Sequence, residues 1–126
     1  MINNCIAVGI GGCIGAVLRY LIGLIPVKET MQFPIKTFGI NVLGCIAIAL
    51  IVIMMSRTAN HAMPEWLGLF LKVGICGGFT TFSTFALEST DLIRNGHAGI
   101  AFLYMILSVV VGVAVIMVIL LAQARG

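Results

Sequence analysis

The sequence predicts an all-α integral membrane protein, built as a single domain of four transmembrane helices over residues 1–126. Hydrophobic residues make up 61% of the chain and charged residues only 9%, whereas an ordinary soluble domain carries about 25% charged residues. Four apolar stretches, at about 4–25, 35–55, 65–94 and 98–123, each reach the roughly 20 residues that cross a bilayer core. We therefore expect a lipid bilayer around the protein.

Composition also excludes two broad classes of function. The net charge of +3 is dispersed along the chain, so no basic cluster is available for nucleic acid. The polar residues inside the spans supply neither a nucleophile with its base nor a metal cluster. We therefore expect no enzyme activity and no nucleic-acid partner.

Each of the first two spans contains one strongly polar side chain. Arg19 lies late in span one, where it either extends to the membrane surface or donates to backbone carbonyls. Asn41 lies about two turns into span two, with Thr37 one turn before it and Gly44 on a similar face. A buried Asn needs hydrogen-bond partners. Its NH2 group suits an anion as well as a neighbouring helix, so both roles stay open.

The third span, about 65–94, contains residues that disfavour a continuous helix. Gly77 and Gly78 are adjacent, and Thr80 and Thr81 follow them near the midpoint of the span. This pattern predicts a break near the bilayer midplane; the alternative is a kinked helix whose Thr side chains recapture the loose backbone. Broken backbone at that depth must be buried, line a cavity or coordinate an ion. Carbonyls freed at 77–80 would call for a cation or other donors.

Aromatic and hydroxyl groups follow the predicted break. Phe82 and Phe85 are three residues apart and share a helix face, and the positive edges of their rings suit an anion. The hydroxyls of Thr81, Ser83 and Thr84 are interleaved with them. The alternative for the Phe pair is a plain packing surface between helices.

Span four carries one narrow polar stripe. Tyr104, Ser108 and Gly112 are spaced by four along an otherwise aliphatic helix. The stripe is either a polar track or a close-packing seam. We favour the track because both hydroxyls need partners.

The distribution of basic residues predicts an antiparallel, dual-topology homodimer. With four spans, Arg57 and Arg125 lie on one side of the membrane and Lys28, Lys36 and Arg94 on the other. A chain that inserts in one orientation normally has a clear Lys and Arg excess on its cytoplasmic loops, which is missing here. Four packed helices also leave little room for an aqueous path. Glycines at helix-contact spacing further support a partner, although they equally suit packing within one chain; they are Gly11, Gly15, Gly44, Gly74, Gly78 and Gly112.

Together these motifs resemble the signature of the Fluc (CrcB-type) fluoride channels. The strings that carry the likeness are GGCIGAVLRY in span one, TFGINVLG in span two, GGFTTFSTFALE in span three and the pair Tyr104 and Ser108 in span four. They cover nearly the whole chain, and the third-span motif is long and specific. The resemblance implies an antiparallel homodimer with two fluoride pores and a central sodium ion. It also implies passive fluoride export across the bacterial cytoplasmic membrane, which protects the cell from fluoride.

The resemblance implies roles for individual residues as well. The backbone carbonyls of Gly77 and Thr80 would bind sodium. The ring edges of Phe82 and Phe85 would meet fluoride beside the amide of Asn41. The residues implied to lie along or support the path are Ser83, Thr84, Tyr104, Ser108, Arg19, Thr37 and Glu88.

Two other functions fit a small four-span protein. A multidrug-type antiporter also uses short dual-topology subunits, but it needs an acidic residue in the membrane, and span one has none. A structural subunit of a larger membrane complex would need only glycine-rich spans. That second alternative leaves the third-span motif unexplained.

Overall fold

The structure, a computed structural model, describes residues 1–28, 32–58 and 63–126, and its regular elements there are all helical. Helix α1 spans Ile2–Gly23, α2 spans Ile35–Arg57 and α6 spans Ala98–Arg125. Between α2 and α6, residues Glu65–Arg94 form a segmented third span. All four are long and apolar enough to cross a membrane, which confirms the prediction of four spans. The predicted connections at 26–34 and 56–64 lie partly outside the described residues.

The third span consists of four helical pieces. Helix α3 (Glu65–Leu69) runs into a π-helical stretch (Phe70–Cys76) and then into α4 (Gly77–Phe79), so residues 65–79 are helical throughout. The chain is extended at Thr80 (φ −78°, ψ 156°) and Thr81 (φ −145°, ψ 113°), and α5 resumes at Phe82 and ends at Arg94. Both glycines of the GGFTT stretch are therefore helical, and the two threonines form the interruption.

Contacts between the spans define their directions. Along α2, Thr37, Asn41 and Gly44 meet Glu88, Thr81 and Thr80 in turn, so α2 and the third span are antiparallel. Helix α1 runs parallel to the third span, because Gly11 lies at Gly74 and Gly15 lies further along at Phe79. Helix α6 follows α5 through a short turn and packs along α2.

Helix α1 and the third span pack backbone to backbone. An added Cβ at Gly11 would lie 2.5 Å from the Phe70 carbonyl oxygen and 2.9 Å from the Gly74 Cα. At Gly78 it would lie 2.5 Å from the Gly12 carbonyl oxygen. The spacing of these glycines suited either contact with a partner or packing within one chain. The structure uses them for packing within one chain, so they give no support to a partner.

Only a small core lies inside the chain. Tyr104 and Ala101 are fully buried beside Leu92, with Phe33, Phe38 and Phe85 packed around them. Many large apolar side chains on the outer faces of all four spans are exposed. A surface of this kind suits a lipid environment.

Gly11 and Gly12 offer a test of the α1 contact by the same change at adjacent positions. Gly11→Ala should lower the free energy of unfolding by about 1–3 kcal/mol, because the obstructing atoms belong to the backbone and cannot rotate away. A Cβ at Gly12 meets nothing within 4 Å, so Gly12→Ala should be neutral or stabilising by up to about 1 kcal/mol. Unfolding of the purified protein in mixed micelles, titrated with a denaturing detergent, measures both. Equal stabilities of the two variants would contradict the described contact.

Candidate functional site

Asn41 holds the interruption of the third span. Its Oδ1 accepts from the Thr81 N–H at 2.9 Å, and its Nδ2 donates to the Thr81 carbonyl at 3.2 Å. One side-chain amide therefore satisfies both backbone polar groups of an extended residue, as a neighbouring β-strand would. In an apolar setting this pairing is required, because an unpaired buried backbone group costs free energy comparable to a lost hydrogen bond.

Threonine hydroxyls form hydrogen bonds with backbone groups on both sides of the interruption. Thr81 caps α5: its Oγ1 accepts from the Thr84 N–H at 3.2 Å and donates to the Thr84 hydroxyl at 2.9 Å. Thr80 closes the preceding helix, because its N–H and its hydroxyl both donate to the Cys76 carbonyl, at 3.1 and 2.9 Å. Such caps are what Thr provides at helix ends.

These bonds change the partners of two carbonyls. In a continuous helix the N–H groups of Thr81 and Thr84 would donate to the carbonyls four residues earlier, at Gly77 and Thr80. Here they donate to Asn41 Oδ1 and Thr81 Oγ1 instead. The Gly78 carbonyl, by contrast, accepts from Arg19 Nε at 3.2 Å. The carbonyls of Gly77 and Thr80 thus lose their regular helical donors.

A cavity of about 480 Å³ lies alongside the interruption, between α2, α6 and the third span. Polar groups from all three elements line it, namely Asn41, Thr80, Thr81 and Ser108, together with the rings of Phe82 and Phe85. The Ser108 hydroxyl oxygen is buried and has no hydrogen-bond partner among the described residues. A buried unpaired hydroxyl is costly, so a ligand that accepts or donates a hydrogen bond would fit there.

The aromatic residues form a chain of ring contacts. The Phe82 and Phe85 centroids lie 5.8 Å apart, and Phe85 meets Tyr104 edge to face at 5.0 Å. Phe82 is 80% exposed, whereas Tyr104 is fully buried. The Phe pair therefore extends from the interior of the chain to its outer face.

Glu88 links three helices beyond the Phe pair. Its two carboxyl oxygens accept from the Thr37 hydroxyl at 2.6 Å and from the Tyr104 hydroxyl at 2.9 Å. Thr37 and Glu88 also line a second cavity, of about 430 Å³, whose other charged lining residues are Lys28, Lys36 and Asp91. This cavity lies at the α5–α6 end of the bundle.

The family of the chain is shown by comparison with known protein families. The family model described as "CrcB-like protein, Camphor Resistance (CrcB)" matches residues 6–120. The chain belongs to the CrcB-like family.

Relatives cover the CrcB-like chain almost end to end. A protein of Azobacteroides pseudotrichonymphae named fluoride-specific ion channel FluC is 36% identical over 93% of this chain and 93% of its own length. One of Phocaeicola vulgatus with the same name is 40% identical over 91% of this chain and 93% of its own length. Another, of Ruminiclostridium cellulolyticum, is 44% identical over 84% of this chain and 81% of its own length.

The structure of this CrcB-like chain brings some of the predicted site residues together and separates others. One cavity unites Asn41, Gly77, Thr80, Phe82, Phe85 and Ser108. Tyr104 lies outside it, with its hydroxyl bonded to Glu88. Ser83 is exposed, Thr84 is part of the α5 cap, and Arg19 donates to Gly78. Within one chain, Tyr104 and Ser108 therefore do not line a common cavity.

Two features of the site were missed by sequence reasoning. The π-helical stretch at Phe70–Cys76 leaves no residue pattern of its own, so it could not be read from the sequence. The pair of hydrogen bonds between the Asn41 amide and the Thr81 backbone was also missed. Its signal was available, because a backbone predicted to be broken inside an apolar span needs hydrogen-bond partners, and Asn41 is the one amide well inside a span.

The contrast between Asn41 and Ser108 tests the hydrogen bonding of the site. Asn41→Ala leaves both Thr81 backbone groups unpaired and should lower the free energy of unfolding by about 2–4 kcal/mol. Ser108→Ala removes an unpartnered hydroxyl and should leave stability unchanged or slightly higher. Thermal unfolding midpoints in detergent measure both. An Asn41→Ala variant as stable as Ser108→Ala would contradict the two hydrogen bonds between Asn41 and the Thr81 backbone.

Proposed function

We propose that this chain forms a fluoride-selective channel that lets fluoride leave the cell passively across the bacterial cytoplasmic membrane and so protects against its toxicity. The observation that carries the proposal is the cavity beside the interruption, where the Asn41 amide, the unpartnered Ser108 hydroxyl and the two Phe rings converge. The printed names of the relatives support the same substrate.

The chemistry of the cavity suits a small, strongly hydrated anion. Selectivity in a pore requires groups that replace the hydration shell of the ion. Asn41 uses one of its two amide hydrogens on Thr81, so the second remains for an anion. The Ser108 hydroxyl and the positive ring edges of Phe82 and Phe85 add further donors. No carboxylate is among the described residues that line this cavity.

We further propose that the functional unit is an antiparallel homodimer with two pores. In a single chain the cavity is open on one side, and Phe82 projects from it with 80% of its surface exposed. A second copy related by an axis in the membrane plane would cover this side. The nearly even distribution of Lys and Arg between the two membrane faces supports insertion in both orientations.

The same axis allows a sodium ion to be shared by two interruptions near the bilayer midplane. Its ligands would be the carbonyls of Gly77 and Thr80 from each chain. These residues fit a hard cation, which prefers oxygen ligands, because their carbonyls have lost their helical donors. Gly77 is exposed, and an added Cβ there would meet nothing within 4 Å, so the chain itself leaves room beside it. The ion would hold the two interruptions together.

Membership of the CrcB-like family favours the channel over both alternatives. The relatives are named as ion channels, whereas a multidrug antiporter would need a membrane acid available for proton exchange. The carboxyl oxygens of Glu88 are both occupied by hydroxyl donors. A purely structural subunit would not require an unpaired hydroxyl beside two aromatic rings.

Fluoride efflux from liposomes tests the channel and its site. Wild-type protein should release fluoride rapidly and retain chloride. Phe82→Ile and Asn41→Asp should each reduce fluoride release by at least about tenfold. Each removes a donor group, and a tenfold loss corresponds to about 1.4 kcal/mol less stabilisation of fluoride in the pore. Phe102→Ile is the matched control, because Phe102 is an exposed ring on α6 outside the cavity.

Two outcomes of the efflux experiment would contradict the proposal. Equal release of fluoride and chloride by wild type would exclude selectivity. Normal fluoride release by Phe82→Ile would remove Phe82 from the pathway. Size-exclusion chromatography of each variant shows whether a loss of flux reflects a lost dimer.

Replacement of sodium by a bulky organic cation tests the shared metal. Dimer stability should fall in N-methylglucamine buffer and recover when sodium returns, because four carbonyls would otherwise face one another unpaired. Thermal unfolding followed by in-line light scattering measures both stability and mass. An unfolding midpoint that is the same in the two buffers would argue against a bound sodium ion.

A further inference from the structure

Lys72 is a charged residue within the third span that has no role in the site described above. It lies in the π-helical stretch Phe70–Cys76, and its side chain is exposed. It is also the one cationic side chain among the described residues that line the cavity shared by Asn41, Phe82 and Ser108. Ionisable residues within membrane spans are expensive and are usually functional.

The lining of the cavity shows which side of the third span Lys72 occupies. In π-helical geometry each N–H reaches the carbonyl five residues back, so residue i+5 lies above residue i. Lys72 and Gly77, the residue that follows the stretch, are five residues apart, and both line the cavity. Helix α1 packs against another face, at Phe70, Gly74 and Gly78. Lys72 is thus on the cavity side of the third span and away from α1, and it also borders a neighbouring cavity lined by Met55 and Glu65.

Lys72 lies at the opposite end of the cavity from the anion donors. The cavity extends along α2 from Asn41 to Ile48 and along α6 from Ser108 to Ile116, which corresponds to about 10–12 Å at 1.5 Å per residue. The third span is antiparallel to α2, so Lys72, eight residues before Thr80, belongs to the Ile48 and Ile116 end. The lining between the two ends is mainly apolar.

We propose that Lys72 attracts anions to this end of the cavity and so sets how much fluoride reaches the Asn41 and Ser108 donors. This inference rests on the proposed channel function. A single positive charge at the end of a low-dielectric passage raises the local concentration of anions. It acts through space and without contact with the selective donors, so it changes the concentration dependence of flux and leaves selectivity to the other residues.

The charge also has a predictable dependence on salt. Exposed charges are screened beyond about 8 Å at physiological ionic strength and beyond about 30 Å at 0.01 M. The contribution of Lys72 should therefore be large at low ionic strength and small at high ionic strength. A residue that serves only to pack the helix, or to anchor it at the lipid surface, would not produce this dependence of fluoride flux.

The experiment measures initial fluoride efflux from liposomes of neutral lipid against fluoride concentration, at low and high concentrations of an impermeant salt. Lys72→Met keeps the length and apolar stem of the side chain but removes its charge. At low salt this variant should need roughly threefold more fluoride for half-maximal flux than wild type, and the difference should disappear at high salt. Lys72→Arg should behave like wild type. Arg125→Met is the matched control, because it makes the same change in net charge at an exposed site outside the cavity.

The outcomes separate this inference from the proposed function. Unchanged half-maximal fluoride and salt dependence in Lys72→Met would overturn the role of Lys72 while leaving the channel intact. An equal effect in Arg125→Met would overturn it too, because net charge alone would then account for the change. Absence of fluoride flux in wild type would refute the channel itself. Size-exclusion chromatography confirms that Lys72→Met is folded and assembled, and Lys72→Gln provides a second neutral variant.

Discussion

The pair of hydrogen bonds between Asn41 and Thr81 is the interaction on which the rest of the site depends. A helix that stops inside an apolar layer exposes backbone groups that water cannot reach. Asn41 satisfies the two groups of Thr81, and the Thr80 and Thr81 hydroxyls satisfy their neighbours. With these bonds the interruption is a defined structure, and without them the span would close into a continuous helix or lose its order. The same bonds take the regular helical donor from the Gly77 carbonyl, and the cavity lies alongside the interruption that they hold.

Several of the few polar residues within the spans lie where helices meet. Asn41 joins α2 to the third span, Arg19 joins α1 to it, and Glu88 joins α2, α5 and α6. Because almost every described polar side chain inside the bundle has a partner, the unpaired hydroxyl of Ser108 is conspicuous. It lies where the proposed ion path passes, which is the kind of place where an unsatisfied group is retained for function.

Much of this architecture could be predicted from the sequence, for identifiable physical reasons. Span number follows from the length of apolar stretches, which the bilayer thickness dictates. Local propensity indicated Gly77, Gly78, Thr80 and Thr81 as residues that disfavour a helix, and of these only Thr80 and Thr81 leave it. The sequence could not say whether Gly11 and Gly74 face each other or a second copy, because spacing alone is the same in both cases. It also could not reveal that Tyr104 bonds to Glu88 rather than lining the cavity with Ser108, since a helical stripe gives direction but not partner. No residue pattern read from the sequence predicted the π-helical stretch at Phe70–Cys76.

The glycine contact between α1 and the third span has a mechanical consequence. Where two helices touch through backbone atoms, no layer of side chains separates them that could rotate to absorb a displacement. Residues 65–79 and α1 therefore behave as one stiff body. On the other side, the third span meets α2 through side chains, such as the Thr80 methyl against Gly44. Any widening of the passage must consequently arise between this stiff body and the α2–α6 pair, where the contacts run through side chains instead of backbone atoms.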